Sequence, residues 1–536
     1  MSNKEPMNWK PLITIIFSMI MMYITSFSIN VLITPIVTDL NWSVSGLQFV
    51  IVAASLIAGT LMVTAGRLGD KIGKKKVFLF GSIIYTVGLL IVVLSPNSTI
   101  FSLGWAVVWP LGMVMVIPTS VALIMYFYEG AQRATAFGIY AAVLSVVSAV
   151  APLVVGYLAN VIGWRLSLSL SPLFGVVTII TAFSLPETSK DNSIKIDFIS
   201  VLLSVLAFGL FLITTIMAAQ YGWFFEKRPF VLANTEIPLF GLSIVPFLYA
   251  LSIVLMLVFF KRGNGLIKKG QAPLLNAAIL KNGSFTVGMV VQALLYFLVA
   301  AVLFVVSVFV QSAAGFDSFS TALTTLPASA AVAIFSFFTP GLGKKIAPKW
   351  IVVGGFVIIF CGIYLLGQSA SVDMEPFTIL AGTSLFGAGC GLVMAQIATI
   401  TMVKVTPEQN GEASGLSETL KEIIGQGFAI AFAGSILFGA VYSFMTEGYE
   451  QAEGLELSGI QKEEIVVELE DTFQEITALG EKEFVATLPD KTQMQYQEIV
   501  NDSSEKAFSK TLWVLNLFVG IALVLSLFLP SNKMTE

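Results

Sequence analysis

Glu418, Lys421 and Glu422 are the residues most able to do chemistry, because they enter a stretch from about 413 to 443 that is otherwise apolar. Spaced three and four apart, they share one face of a helix. Ionisable side chains inside a membrane-spanning helix are costly, and where they occur they mark ion or proton pathways. A carboxyl group withdrawn from water is drawn toward its protonated form, while an adjacent ammonium opposes that. The balance between the two can bring proton exchange near physiological pH. Proton coupling by Glu418 or Glu422, with Lys421 as partner, is therefore expected. The alternatives are an internally neutralised structural pair, or a solvated helix end, since the span is long enough to protrude from a bilayer. Ser26, Asn30, Gln48, Gln292, Tyr296 and Gln396 are neutral polar residues in other apolar stretches and are candidates to line a cavity.

Other chemistries lack their residues. The chain has no histidine, which removes the commonest general base and the commonest metal ligand. Cys361 and Cys390 form no CxxC pattern and read as small packing residues, so neither a disulfide nor a metal is implied. There is no G-x-x-x-x-G-K-[ST] phosphate loop. The expectation is a non-enzymatic protein with no metal, no cofactor and no nucleic-acid partner, most simply a monomer among membrane lipids.

The elements that must position these residues are membrane helices. Of 536 residues, 56% are hydrophobic and 12% charged, about half the charged share of a soluble domain. A bilayer core needs roughly 20 apolar residues per helix. Fourteen runs qualify: 11–34, 45–65, 77–95, 99–124, 134–160, 166–185, 198–219, 237–260, 284–311, 320–341, 350–367, 377–403, 413–443 and 511–530. Positive charge is retained in the cytoplasm. With Met1 inside, 20 of the 29 Lys and Arg fall in cytoplasmic segments, so both termini are expected there, in a multi-pass plasma-membrane protein of bacterial type. The interval from about 445 to 510 is strongly acidic. Its Ile465, Leu469, Phe473 and Ile476 spacing predicts amphipathic helices on the external surface.

The link between the second and third runs reads Gly66-Arg67-Leu68-Gly69-Asp70-Lys71-Ile72-Gly73-Lys74-Lys75-Lys76. A basic topogenic loop would account for the lysines but not for the ordered glycines and Asp70. This segment resembles the signature of the major facilitator superfamily, G-x-L-x-D-[RK]-x-G-[RK]-[RK], at every fixed position. Residues 340–349 echo it in decayed form, with Lys344 in place of the aspartate. Fourteen helices resemble the drug/proton antiporter branch that includes multidrug efflux proteins. Pro152 and Gly156, followed by Gly163-Trp164-Arg165, are similar to its fifth-helix antiporter motif, and Leu185-Pro186-Glu187-Thr188 and Pro273-Leu274-Leu275 also match.

The resemblance implies an all-α polytopic membrane fold in a 6 + 2 + 6 arrangement. Residues 1–195 would form the N-terminal bundle, 196–270 two extra linker helices, and 271–536 the C-terminal bundle with the acidic extracellular loop. It also implies substrate bound between bundles that rock, and an aspartate, here Asp70, that latches the bundles together on the cytoplasmic side in the outward-open state. The chain departs from the family where Ala106 replaces the fourth-helix arginine tied to proton coupling, and where no acidic residue stands in the first two helices. The expected function is export of amphiphilic or hydrophobic small molecules by alternating access, driven by the proton gradient. The alternatives are a lipid or glycolipid flippase of the same fold, and a non-transporting receptor or scaffold that uses the acidic loop.

Overall fold

A computed structural model describes residues 7–188, 190, 197–227, 229–232, 235–237, 239–269, 271, 273–275, 277–343, 345–405, 410–451 and 490–530. Among these, fourteen helices are long and apolar enough to cross a membrane. They are α1 (Trp9–Val31), α2 (Val44–Ile72), α3 (Lys74–Val93), α4 (Ser98–Phe127), α5 (Thr135–Ile162), α6 (Trp164–Phe183) and α7 (Phe198–Tyr221), then α8 (Val245–Lys268), α9 (Gly283–Ser312), α10 (Ser318–Gly343), α11 (Pro348–Ser369), α12 (Leu380–Met402), α13 (Ala413–Gly448) and α14 (Gln493–Ser526). A two-residue antiparallel pair, Val231–Leu232 with Thr235–Glu236, lies between α7 and α8.

Several boundaries differ from the sequence expectation; the runs expected at 237–260 and 45–65, for instance, are found at Val245–Lys268 and Val44–Ile72. The first run, 11–34, breaks at a tight turn over Ile29–Val31 before a short helix at Ile33–Asp39. Pro35 has no N–H to offer the Val31 carbonyl, which weakens the helix at this point and favours the break. The acidic interval is narrower than 445–510, because helix continues to Gln451 on one side and resumes at Asp490 on the other. Solvated pairs one turn apart support the second extension: Gln497 donates to Asn501 at 2.9 Å and Lys506 to Asp502 at 2.7 Å. Glu505 ties it to the loop after α11, accepting from the Ser371 hydroxyl and the Val372 N–H at 2.8 Å each. Ile465, Leu469, Phe473 and Ile476 lie outside the described residues, as does Lys344.

Packing relies on small residues. Helices in lipid gain no hydrophobic drive from meeting one another and need close backbone approach instead. Gly112 seats against the Tyr85 backbone and Gly362 against that of Phe386, so that α3 meets α4 and α11 meets α12 in like fashion. Across the halves, α2 runs along α13 through Gly59 on Ile423 and Ser55 on Gly427. The second seam joins α5 to α10: a Cβ on Gly156 would come within 2.7 Å of the Ser318 carbonyl. Buried Pro152 sits one turn earlier on α5.

The α7–α8 hairpin covers the α2/α13 seam. Gly209 packs on Leu56, and Leu212 on Gly427. Within the hairpin, Ser252 donates to the Ala207 carbonyl at 2.9 Å, and Arg262 grips Asp197 at its base with two bonds of 2.7 and 2.9 Å. That guanidinium holds the Asp197 carboxyl down to about 2. The pair's contribution is therefore complete above about pH 4 and is lost only as pH falls toward 2. The grip persists throughout the physiological range.

Gly362→Val should collide with the α12 backbone and cost about 1–3 kcal/mol. A lower melting temperature in detergent checks this, with the equally apolar but lipid-facing Val357→Leu expected to leave it unchanged.

Candidate functional site

The charged stripe is a buried station on α13. Glu422 is only 5% exposed, and Glu418 and Lys421 are partly buried. Lys421 Nζ donates to Glu418 Oε2 at 2.8 Å and lies over the Tyr296 ring of α9 at 4.9 Å. One turn earlier, the Ser417 hydroxyl donates to Gln292 Oε1 at 3.2 Å. The ammonium is thus committed to Glu418. Among the described residues, the Glu422 carboxyl has no hydrogen bond or ion pair.

Immediately after Glu422 the helix widens into a π turn over Ile423–Phe428. Such turns are uncommon and often mark functional sites. This one contains Gly425 and Gly427, and it lets α13 touch three neighbours at once: Ile423 meets Gly59 of α2, Gly425 meets Tyr296 of α9, and Gly427 meets Leu212 of α7. The stripe is therefore fixed from several sides, as a site that must hold a charge in one place requires.

Two further residues face it from the N-terminal half. Tyr140 of α5 and Tyr23 of α1 lie close to one another, and both are within electrostatic range of Lys421 and Glu418. Sequence reasoning passed over these tyrosines. The available signal was compositional: the chain uses 42 Phe against 13 Tyr, so a tyrosine inside an apolar run is a choice for a hydroxyl. The stripe, Tyr296, Tyr23 and Tyr140 together make a polar centre contributed by both halves.

The other cavity candidates divide. Gln292 and Tyr296 join the centre. Ser26 is half-buried one turn beyond Tyr23. Gln48 instead bonds across the α2/α13 seam, its Nε2 donating to the Ile430 carbonyl at 2.7 Å. Asn30 engages through its backbone carbonyl, which accepts from Gln311. Gln396 is buried within the C-terminal half against Gly343, away from the stripe.

The signature turn forms a compact knot. Gly73 ends α2 with φ +106°, a conformation open to glycine. Gly69 fits under Thr119, while Gly66 makes ordinary contact with Pro118. Asp70 pairs with Lys74 at 3.1 Å inside the turn, and Lys75 reaches Glu187 at 3.8 Å. Thr188 caps α3, its hydroxyl accepting from the Lys74 N–H at 2.7 Å, which explains the Leu185–Thr188 match. Leu68 and Lys71 are half-buried beside them. From this knot Arg67 reaches out of the N-terminal half and donates to the Pro273 carbonyl just before α9. At the opposite face, Trp164 and Arg165 both donate to Asp39.

Ala106 lies inside a second π turn, Leu103–Val108 of α4. Trp105 stacks between Phe101 and Trp109 there, at 5.8 and 5.3 Å between ring centres.

The family model for the Major Facilitator Superfamily matches residues 15–430. The chain belongs to the major facilitator superfamily. It is a multi-pass membrane transporter, of a family whose substrates are small molecules and which is in general non-enzymatic. It is 25% identical over 436 residues to the multidrug resistance protein Stp of Mycobacterium tuberculosis, covering 80% of this chain and 76% of that protein. It is 22% identical over 428 residues to the methylenomycin A resistance protein of Bacillus subtilis, covering 78% and 87%. Among solved structures, a bacterial homologue of the human lysosomal transporter Spinster, inward-facing and unoccupied, aligns over 98% of both chains with a TM-score of 0.59 at 14% identity. That likeness shows the fold.

Lys421→Met should leave the Glu418 carboxylate partly buried without its ammonium and lower stability by about 1–3 kcal/mol. Combining it with Glu418→Gln should recover most of the loss, as read by thermal unfolding of the single and double variants.

Proposed function

We propose that this transporter exports amphiphilic or hydrophobic small molecules in exchange for protons, with Glu422 as the residue that takes up and releases the proton. The supporting observation is that Lys421 is hydrogen-bonded to Glu418 while, among the described residues, the buried Glu422 carboxyl has no hydrogen bond or ion pair. A carboxyl so placed can be neutral or charged without unmaking an ion pair. Its position beside a centre built by both halves lets its charge state bias their packing. The names of the relatives, a multidrug resistance protein and an antibiotic resistance protein, agree with an exporter of such cargo. Energy comes from the proton gradient, with no cofactor.

Orientation follows from charge. With the termini in the cytoplasm, the signature turn and Arg67 face inward, and the Asp39–Arg165 cluster faces outward. In the N-terminal half, Ala106 supplies no charge to the route. Coupling therefore rests on the C-terminal half. Tyr23, Tyr140 and Tyr296 offer ring faces and hydroxyls to cargo, a combination suited to amphiphiles. Small-molecule export is favoured over a receptor role because the buried ionisable centre has no use in a static scaffold.

In proteoliposomes with an imposed pH gradient, transport of a panel of neutral and cationic fluorescent amphiphiles should follow the gradient. Glu422→Gln should lose at least about tenfold of gradient-driven flux while retaining downhill exchange, and Glu422→Asp should retain part of the drive. Wild-type flux indifferent to the gradient, or a Glu422→Gln variant equally driven by it, would overturn the proposal.

A further inference from the structure

The first helix is broken where the ninth one touches it, and the two facts are chemically linked. In an unbroken α-helix the Thr34 N–H would donate to the Asn30 carbonyl, four residues back. Here that turn is open, and the side chain of Gln311, near the end of α9, occupies it. Gln311 Nε2 donates to the Asn30 carbonyl at 2.6 Å, and its Oε1 accepts from the Thr34 N–H at 3.0 Å. The second Nε2 hydrogen goes to the Ser307 carbonyl of its own helix at 3.0 Å. Gln311 is 3% exposed. One side-chain amide has replaced one missing backbone bond with its own donor and acceptor.

We infer that Gln311 is the clasp of the gate on the face opposite the termini, and that α1 works as a two-state element at Asn30–Thr34. With this face closed, the turn is open and holds the Gln311 amide. With this face open, the amide withdraws to water and the Thr34 N–H closes onto the Asn30 carbonyl. Neither state leaves a buried backbone group without a partner, which the apolar surroundings demand. Pro35 keeps the turn easy to open, because it has already removed the neighbouring bond from the Val31 carbonyl. Exchange between two satisfied arrangements is what a bistable gate requires.

Gln48 provides the contrast. It too crosses between halves on this side, but its Nε2 donates to carbonyls of an intact helical stretch of α13. Its withdrawal strands nothing on that helix and switches nothing. The Gln311 clasp is neutral, so its grip does not titrate. The described charged groups nearest in sequence are Asp317, which accepts from the Ser320 N–H at 2.7 Å, and Asp39, held by Arg165 and Trp164.

The test reads conformation and needs neither cargo nor coupling. Spin labels go on Thr99→Cys and Asp373→Cys, exposed positions on the two halves at this face, in a Cys361→Ser, Cys390→Ala background. Double electron–electron resonance in nanodiscs then gives the populations of short and long distances. Gln311→Leu should raise the long-to-short ratio about fivefold, the factor expected from losing about one net hydrogen bond. Gln311→Glu separates the clasp from packing and from misfolding within a single sample. The introduced carboxyl can both donate and accept when protonated, but only accept when ionised. Relative to the Gln311 parent at each pH, the Gln311→Glu ratio should match at acidic pH and rise at alkaline pH. An unchanged ratio in Gln311→Leu, or a Gln311→Glu ratio that tracks the parent at every pH, would overturn the inference.

Discussion

The hydrocarbon core offers no water to a stray hydrogen-bonding group, and this constraint shapes how most polar residues of the spans are placed. Serines and threonines along the spans return their hydroxyls to carbonyls one turn back, as Thr86 does to Ser82 at 2.7 Å and Thr401 to Ile397 at 2.7 Å. Two glutamines reach further, where the halves meet: Gln48 holds α13, and Gln311 holds α1. With groups this costly to strand, halves that move must exchange partners rather than lose them. That requirement connects the packing of this transporter to its function.

The same constraint makes Glu422 conspicuous. Its neighbours settle their charge between themselves, with Lys421 bonded to Glu418 and resting on Tyr296. A carboxyl left over beside a neutral pair can change its charge without dismantling the structure around it. The π turn that follows lets α2, α7 and α9 all press on the segment behind it, so the proposed change at Glu422 would have a direct route to helices of both halves and to the extra hairpin. The hairpin is thus part of the seam rather than an appendage to it.

Much of the architecture was legible because lipid imposes length and polarity together. Fourteen apolar runs and the glycine-and-aspartate turn carry their meaning in local spacing, as do the three charges of α13. What was not legible depends on partners distant in the chain. Nothing near Thr188 announces that it caps α3, and nothing near Gln311 announces the open turn 281 residues away. Tyr23 and Tyr140 look like ordinary aromatics until α1 and α5 are brought face to face. Asp70 shows how a motif depends on state: the family implies a latch between bundles when the outer face is open, and here, with that face closed, Asp70 pairs within its own turn and Arg67 makes a crossing. A motif names residues that matter at a site; the fold decides which of them reaches across.

The central claim is that one carboxyl, Glu422, changes protonation during the working cycle, and infrared difference spectroscopy of the reconstituted protein tests it most directly. On titration through the physiological range, the account predicts a carboxylic-acid C=O band that gains and loses intensity, disappears in Glu422→Gln and survives Glu418→Gln. A band that persists in Glu422→Gln, or the absence of any titrating band in the unaltered protein, would contradict it.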